Sequence, residues 1–290
     1  MAATTPLIWI NGRRTDPEGP HVSAFDRGYM RADGLFETLR SYDGVAGCLE
    51  RHIARIRRGA AVLGIPVPDD AGAMVAAAAT AAAEAGWADA AVRLSLSRGV
   101  GDLTMVPRSD TPPTVVITAT PLSVKASAPL YEKGIALHVA TGTRNEQSIT
   151  SGVKTLGYAE AVIAFNAALS AGFDEALFLD TEGHVSEATT ANIFAVQDGG
   201  LHTPPLTCGI LAGITRELVL EIASREKIPV AERVMQLEDL YGAAEVFITS
   251  SIRELMPVTR VGAQVIGTGA PGPVYRRLHE LFVPAIRACR

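Results

Sequence analysis

A mixed α/β (α+β) protein built as two lobes is predicted, and three observations carry the prediction. Stretches with the two-residue period of strands alternate with stretches of helical period. The 290 residues exceed what one compact core usually needs. A stretch with two prolines and no sustained period, 121–134 (PLSVKASAPLYEKG), separates two such runs. The lobes are accordingly placed at 1–120 and 135–290, with 121–134 as the linker. Apolar residues make up 48% and charged residues 20%, which suits a folded chain and excludes disordered and collagen-like classes.

Residues 7–10 read as a strand, and 35–47 as a hairpin turning at Asp43-Gly44. In 50–63, Ile53, Ile56, Ala60 and Leu63 recur at helical spacing, and Gly64 is a stop signal. An alanine-rich helix follows at 69–86. The segment 91–97 alternates, with Val92, Leu94 and Leu96 on one face and Arg93, Ser95 and Ser97 on the other. Residues 114–120 have the β-branched bias of a strand. Beyond the linker come a strand (135–141), a loop (142–153), a helix (about 156–171) and a strand (175–180). The turn Thr181-Glu182-Gly183 leads to strands near 184–187 and 192–197. Pro204-Pro205 precedes a helix starting near Ile214. A strand (229–234), a short helix (237–241), a strand (244–249), strands near 257–266 and a helix from about 272 complete the pattern.

The formal net charge of −5 is spread along the chain without a basic stripe, so nucleic acid is not an expected partner. The apolar tract 74–83 is too short to span a bilayer, and no membrane partner is expected. The run Leu7–Ile10 is too brief for a signal-peptide core, which favours the cytoplasm. Cys48, Cys208 and Cys289 are widely spaced with no CxxC, which predicts reduced thiols and no cysteine metal site. No His, Cys and Asp cluster has metal spacing, and HExxH, GxSxG and GxGxxG are absent. Gly99-Val-Gly101 follows a strand but opens no helix. The chain holds 22 arginines but only four lysines (Lys125, Lys133, Lys154, Lys227), so amine chemistry has four candidates.

Read singly, the chemical candidates stay ambiguous. Lys154 is either a helix-edge lysine with its ammonium in water or an amine whose apolar setting lowers its proton affinity. Gly209-Ile-Leu-Ala-Gly-Ile-Thr-Arg216 is either a glycine turn with an ordinary cap or a helix start offering free N–H groups to a phosphate. Thr249-Ser250-Ser251 ends an apolar strand and could supply hydroxyls to the same anion. Glu187 is a strand-end carboxylate or the partner of a pyridinium nitrogen. Arg55 is one of four arginines in 50–63; turned inward, it would need an anion.

The order of the pieces says more. Phe25-Asp-Arg-Gly28, Asp33-Gly-Leu-Phe-Glu-Thr-Leu-Arg40, His52-x-x-Arg55, Lys154-Thr-Leu-Gly-Tyr158 and Asp174-Glu-Ala-Leu-Phe-Leu179 come first. Ser186-Glu187, Asn192-Ile-Phe194, Thr203-Pro-Pro205, Gly213-Ile-Thr-Arg216 and Pro257-Val258 follow. In this order, over about residues 7–285, the chain resembles the class IV (fold-type IV) pyridoxal-phosphate aminotransferases. That group includes branched-chain and D-amino-acid aminotransferases, R-selective amine transaminases and aminodeoxychorismate lyases. The resemblance implies a smaller N-terminal α/β lobe, a larger β-barrel-like C-terminal lobe with helices, pyridoxal 5′-phosphate as cofactor, and a homodimer.

By matching position, the resemblance makes Lys154 the Schiff-base lysine and Arg55 the phosphate-binding arginine. Ile214 and Thr215 match the phosphate cup, Ser250 and Ser251 its second wall. Glu187 matches the acid facing the pyridine nitrogen, and Tyr158 a tyrosine near the cofactor's phenolic oxygen. Phe36, Arg31, Arg40, Arg93 and Arg98 are the substrate-side candidates. Arg31 stands where relatives commonly carry Tyr or Phe, and Gly157 replaces a common asparagine. The Arg-x-His pair of typical D-amino-acid enzymes and the Gly-Gly-Arg-Gly-like loop of typical lyases are both missing. The Leu-Phe-Glu-Thr-Leu-Arg and Thr-Ser-Ser-x-Arg-Glu segments lie nearer the lyase and D-enzyme side. The implied activity is transamination between an amino acid, D-amino acids favoured, and a 2-oxo acid such as 2-oxoglutarate or pyruvate. The alternatives are a lyase giving 4-aminobenzoate and pyruvate, and a branched-chain L-amino-acid or R-amine transaminase.

Overall fold

The computed structural model describes residues 5–19, 21–106 and 110–289. Residues 1–4 of the N-terminal segment and 107–109 of the loop 99–113 lie outside the described residues. The chain forms two compact units.

The first unit holds the chain up to Ser123, the short piece Val153–Gly157 and the C-terminal residues from Arg287. Its elements are β1 (Leu7–Ile10), β2 (Arg13–Thr15), α1 (Arg27–Arg31), β3 (Gly34–Tyr42), β4 (Val45–Ala46), α2 (Leu49–Leu63), α3 (Ala71–Glu84), β5 (Asp89–Ser97) and β6 (Thr114–Pro121). The strands make one antiparallel six-stranded sheet in the order β2-β1-β6-β5-β3-β4. Asp43 and Gly44 both take positive φ, the hairpin geometry that their sequence signals. Gly64 ends α2 in the left-handed conformation. Leu35, Leu39, Val92, Leu94, Leu96 and Ile117 of the sheet form one buried cluster with Ile53 and Ile56 of α2 and Val75 of α3. Each such side chain contributes about 1.5–3 kcal/mol by leaving water. The alanines of α3 bring its backbone close to the sheet, and Ala78, Ala79 and Ala82 are all buried.

Val153–Gly157 extends this sheet along the edge of β3. Thr155 bridges Leu35 in antiparallel register. Phe36 N–H donates to the Lys154 carbonyl at 3.0 Å, and Leu156 N–H to the Gly34 carbonyl at 2.9 Å. Gly34 is required here. A Cβ on it would come within 3.0 Å of the Leu96 carbonyl and lie 2.7 Å from Leu156 Cδ1.

One expectation is corrected. Cys48 and Cys289 are joined in a disulfide across a sequence separation of 241, with Cα atoms 4.6 Å apart. Spacing along the chain gave no sign of it, because only the folded path brings the C-terminal residues to the start of α2, where Cys48 N–H donates to the Cys289 carbonyl at 2.7 Å. Cys208 remains a free, buried thiol. Burial, with Asp180 nearby, pushes it up to about 11, so it stays protonated.

The second unit holds 124–152 and 158–286. It contains α4 (Val124–Lys133), β7 (Ile135–Arg144), α5 (Ala159–Ser170), β8 (Glu175–Asp180), β9 (Val185–Ala188), β10 (Asn192–Gln197) and β11 (Gly200–Thr203). These are followed by a 3-10 turn (Leu206–Cys208), α6 (Ile214–Arg225), β12 (Val230–Glu232), α7 (Leu237–Tyr241), β13 (Glu245–Ser250), β14 (Glu254–Val261), β15 (Gln264–Val265) and α8 (Pro273–Ala288). The nine strands form a mixed sheet in the order β12-β11-β10-β13-β14-β7-β8-β9, with β15 on β14. Three pairs are parallel: β11 with β12, β14 with β7, and β7 with β8. Leu137, Leu177, Ile193, Val246, Ile248 and Met256 anchor its core. Phe194 and Phe247 stack at 5.1 Å between centroids. The stretch 121–134, which showed no period, carries α4, with Pro129 inside the helix. No helix among the described residues is long and apolar enough to cross a membrane.

Candidate active site

The residues singled out in the sequence fall into two sets, one in each unit. In the first unit, Lys154 lies opposite Phe36 across the added strand, and its Nζ sits 4.4 Å from the centroid of that ring. Arg93 covers the same ring at 3.7 Å, with its Nε donating to Ser95 Oγ at 3.1 Å. Alternation explains the grouping. Phe36 pairs with Ser95 and Thr38 with Arg93, so Phe36, Arg93 and Ser95 share one face of the sheet.

The opposite face of β3 carries Leu35, Glu37 and Leu39 toward α2. Glu37 is 1% exposed. Its carboxylate accepts Arg55 Nε at 2.7 Å and Arg55 Nη2 at 2.6 Å. His52 Nδ1 lies 2.7 Å from Glu37 Oε2. Burial pushes the Glu37 carboxyl up, but the attraction of Arg55 and the hydrogen bonds from Arg55 and His52 together outweigh it and hold it at about 2. Burial lowers the His52 pKa, more than contact with Glu37 restores. Arg55 is buried and so needs an anion, and within the chain Glu37 supplies one, a residue to which the sequence motifs assign no role.

The other substrate-side arginines lie elsewhere in this unit. Arg40 is four residues beyond Phe36 on β3, about 13 Å by strand rise, and bonds Asp89 through Nε at 2.9 Å. Arg98 pairs with Asp33 at 2.8 Å and donates to the Leu63 and Gly64 carbonyls at the end of α2. Arg31 donates to the Leu103 carbonyl. Buried Arg27, not singled out before, also binds Asp33 and donates to the Thr104 and Met105 carbonyls. Arg31 and Arg27 thus hold the loop after β5 to α1.

In the second unit, Glu187 on β9 accepts Leu211 N–H at 3.0 Å and Asn192 Nδ2 at 3.4 Å through Oε2. Arg144, at the end of β7, approaches Oε1 at 3.4 Å. Asn192 also donates to the Leu211 carbonyl at 2.9 Å. Asn192 pairs with Thr249 across β10 and β13, so it sits between Glu187 and the 249–251 run. Gly213, the residue before α6, packs so closely that an added Cβ would fall far inside 3.0 Å of Asn192 Oδ1. Ile214 and Thr215, each 3% exposed, open α6, and Gly213 supplies no side-chain cap to its first N–H groups. Ser250 ends β13, and its Oγ accepts Arg253 N–H at 3.2 Å. Arg253 is tied to buried Glu175 at 3.1 Å, which fixes the turn containing Ser251. Tyr158 stands at the start of α5. Asn192, Arg144 and Glu175 had no assigned role. The clue for Asn192 was a polar residue opening an otherwise apolar strand. Among the described residues no cluster of three His, Cys, Asp or Glu side chains could hold a metal.

The family profile described as "Amino-transferase class IV" matches residues 34–261, which includes both sets. The chain belongs to this family: it is a class IV aminotransferase, of an enzyme family that works with pyridoxal 5′-phosphate. A Methanocaldococcus jannaschii protein, provisionally named a branched-chain-amino-acid aminotransferase, is 39% identical over 95% of this chain and 94% of its own. The D-alanine aminotransferase of Bacillus licheniformis is 29% identical, covering 96% of each chain. Among solved structures, the Escherichia coli branched-chain amino acid aminotransferase superposes with TM-score 0.91 at 28% identity, over 99% of this chain and 96% of that one. A second branched-chain amino acid aminotransferase, solved with pyridoxamine 5′-phosphate, gives 0.90 at 28%, with the same coverage. The 4-amino-4-deoxychorismate lyase of Pseudomonas aeruginosa gives 0.84 at 30%, over 96% and 98%.

Proposed function

We propose that the chain is a transaminase that moves an amino group from an amino acid to a 2-oxo acid, with Lys154 as its reactive amine. The observation that carries this reading is the setting of Lys154. Its backbone is pinned to β3, and its Nζ lies over a buried aromatic ring beside one guanidinium.

The donor chemistry fits pyridoxal phosphate. A primary amine suits its aldehyde, a guanidinium and a helix start suit its phosphate, and a carboxylate held by three donors suits a protonated ring nitrogen. Thr249 Oγ1 and Arg144 Nε, buried beside Ser250 and Glu187, lack hydrogen-bond partners, as polar atoms lining a site for a polar ligand do. When bound, the cofactor supplies an aldehyde to carry the amino group and a ring that takes up the charge left when a proton departs the substrate. Lys154 Nζ would take the α proton of the amino donor and return it to the carbon that the aldehyde supplies, two bonds from where it left. Glu187 would keep a proton on the ring nitrogen. Arg55, Ile214, Thr215, Ser250 and Ser251 are the residues that would hold the phosphate, and a ring held in that way would keep the proton transfer within one oriented complex. Tyr158 would stand near the cofactor's phenolic oxygen.

Of the arginines considered, Arg93 is the one stacked on the Phe36 ring that Lys154 also faces, and it meets the substrate carboxylate in this reading. The amino donor is a branched-chain L-amino acid; the M. jannaschii relative and the E. coli structure support it over the D-amino acids that the sequence segments favoured. The B. licheniformis relative supports D-alanine as a second reading. A homodimer belongs to the same proposal. Exposed Leu103, Met105 and Val106 in the first unit are apolar groups that a second copy would cover. Keto-acid release from a panel of D- and L-amino acids, with 4-aminobenzoate formation assayed in parallel, tests the reading. Wild type transaminates, Lys154→Ala does not, and full turnover by that variant refutes it.

A further inference from the structure

We infer that Glu37 is a positioning residue for cofactor binding: it holds the guanidinium of Arg55 in the plane in which that group grips the phosphate. The inference rests on the reading of Arg55 given above and extends it to a residue that touches no ligand.

Glu37 stands among Leu35 and Leu39 on the face of β3 that builds the apolar core. A carboxylate in that setting is costly unless it is fully paired. Its pairing is specific. Both oxygens engage Arg55, through Nε and Nη2, at 2.7 and 2.6 Å. His52, three residues before Arg55 and therefore on the same face of α2, adds a contact of 2.7 Å to Oε2. Apolar residues of similar volume would stabilise this core about as well as the ion pair. What the fork supplies is orientation. Two parallel bonds fix a planar group about its long flexible stem, and the guanidinium edge that carries Nη1 points away from the carboxylate. A donor set fixed before binding loses less freedom when an anion arrives. The contact from His52 in turn fixes the rotamer of Glu37, so strand and helix hold the arginine jointly.

The test is a pair of titrations on full-length apoprotein, one with pyridoxal 5′-phosphate and one with phosphate-free pyridoxal. The readout is the ratio of the two dissociation constants. Arg55→Ala abolishes most of the preference for the phosphorylated form. Glu37→Gln lowers that preference by about tenfold to a hundredfold, the worth of a charge-assisted fork, and adds nothing further in the Arg55→Ala background. His52→Ala gives a smaller loss, and His52→Asn, which restores an N–H donor, recovers part of it. The His52 pair decides the matter should Glu37→Gln not fold. A purely structural role would weaken both ligands equally and leave the ratio unchanged, and that result overturns the inference. If Arg55→Ala itself retains the preference, the phosphate reading fails and this inference falls with it. If Arg55→Ala loses the preference while Glu37→Gln and His52→Ala keep it, the inference alone fails.

Discussion

Gly213→Ala tests how the Glu187 region is built. The backbone at Gly213 has φ −71 and ψ 132, which alanine adopts freely, so any effect comes from the added methyl. That methyl falls far inside 3.0 Å of Asn192 Oδ1. Asn192 is 4% exposed and cannot swing into solvent. Its Nδ2 is committed to the Leu211 carbonyl at 2.9 Å and to Glu187 Oε2 at 3.4 Å. Relieving the clash sacrifices a buried hydrogen bond, about 1–3 kcal/mol, on top of overpacking of about 1–3 kcal/mol. With partial relaxation the sum is about 2–4 kcal/mol, which for a chain of this size lowers Tm by roughly 3–7 °C. Thermal unfolding of the apoprotein reads this directly. The double variant Asn192→Ala, Gly213→Ala recovers the overpacking share, because the clashing oxygen is gone. A Tm within a degree of wild type for Gly213→Ala would refute the close packing of Asn192 against α6.

Two further predictions concern stability. Cys48→Ser removes a cross-link over a separation of 241 residues and costs about 2–5 kcal/mol, the usual loss when a native disulfide is removed; equal denaturant midpoints for variant and wild type would count against the pairing. Acid should destabilise the first unit in two stages. His52 has its pKa depressed by burial, so its contribution fades as pH falls below 6.5 toward its folded value. Glu37, at about 2 when folded against 4.5 ordinarily, contributes fully above 4.5 and loses its share as pH falls from 4.5 to 2. The slope of stability against pH below 4.5 is therefore shallower in Glu37→Gln, and an identical slope would remove Glu37 from the account.

Much of the fold was legible because its signals are local. The alternation that put Val92, Leu94 and Leu96 inward holds, as do the Asp43-Gly44 turn and the Gly64 stop. Short elements carry too few residues for a period, so β2, α1 and β11 were not visible. Pro129 masked α4. The disulfide and the extension of β3 by Val153–Gly157 join segments far apart in sequence, which no window along the chain can register. The same limit applies to the site. Lys154, Arg55 and Glu187 take expected roles from their matching positions, whereas Glu37, Asn192 and Arg144 stand out only through contacts between different elements of the fold. Among the candidate arginines, sequence position alone did not separate Arg93 from Arg40 and Arg98. The separation depends on which carboxylates and carbonyls the fold places beside each guanidinium.

The central claim is that one amine, that of Lys154, bonds the cofactor. Borohydride reduction of the protein loaded with pyridoxal 5′-phosphate, followed by peptide mass mapping, tests it directly. The account predicts a single stable pyridoxyl adduct on the peptide containing Lys154. An adduct on Lys125, Lys133 or Lys227 instead, or none at all from a protein that takes up cofactor, would contradict it.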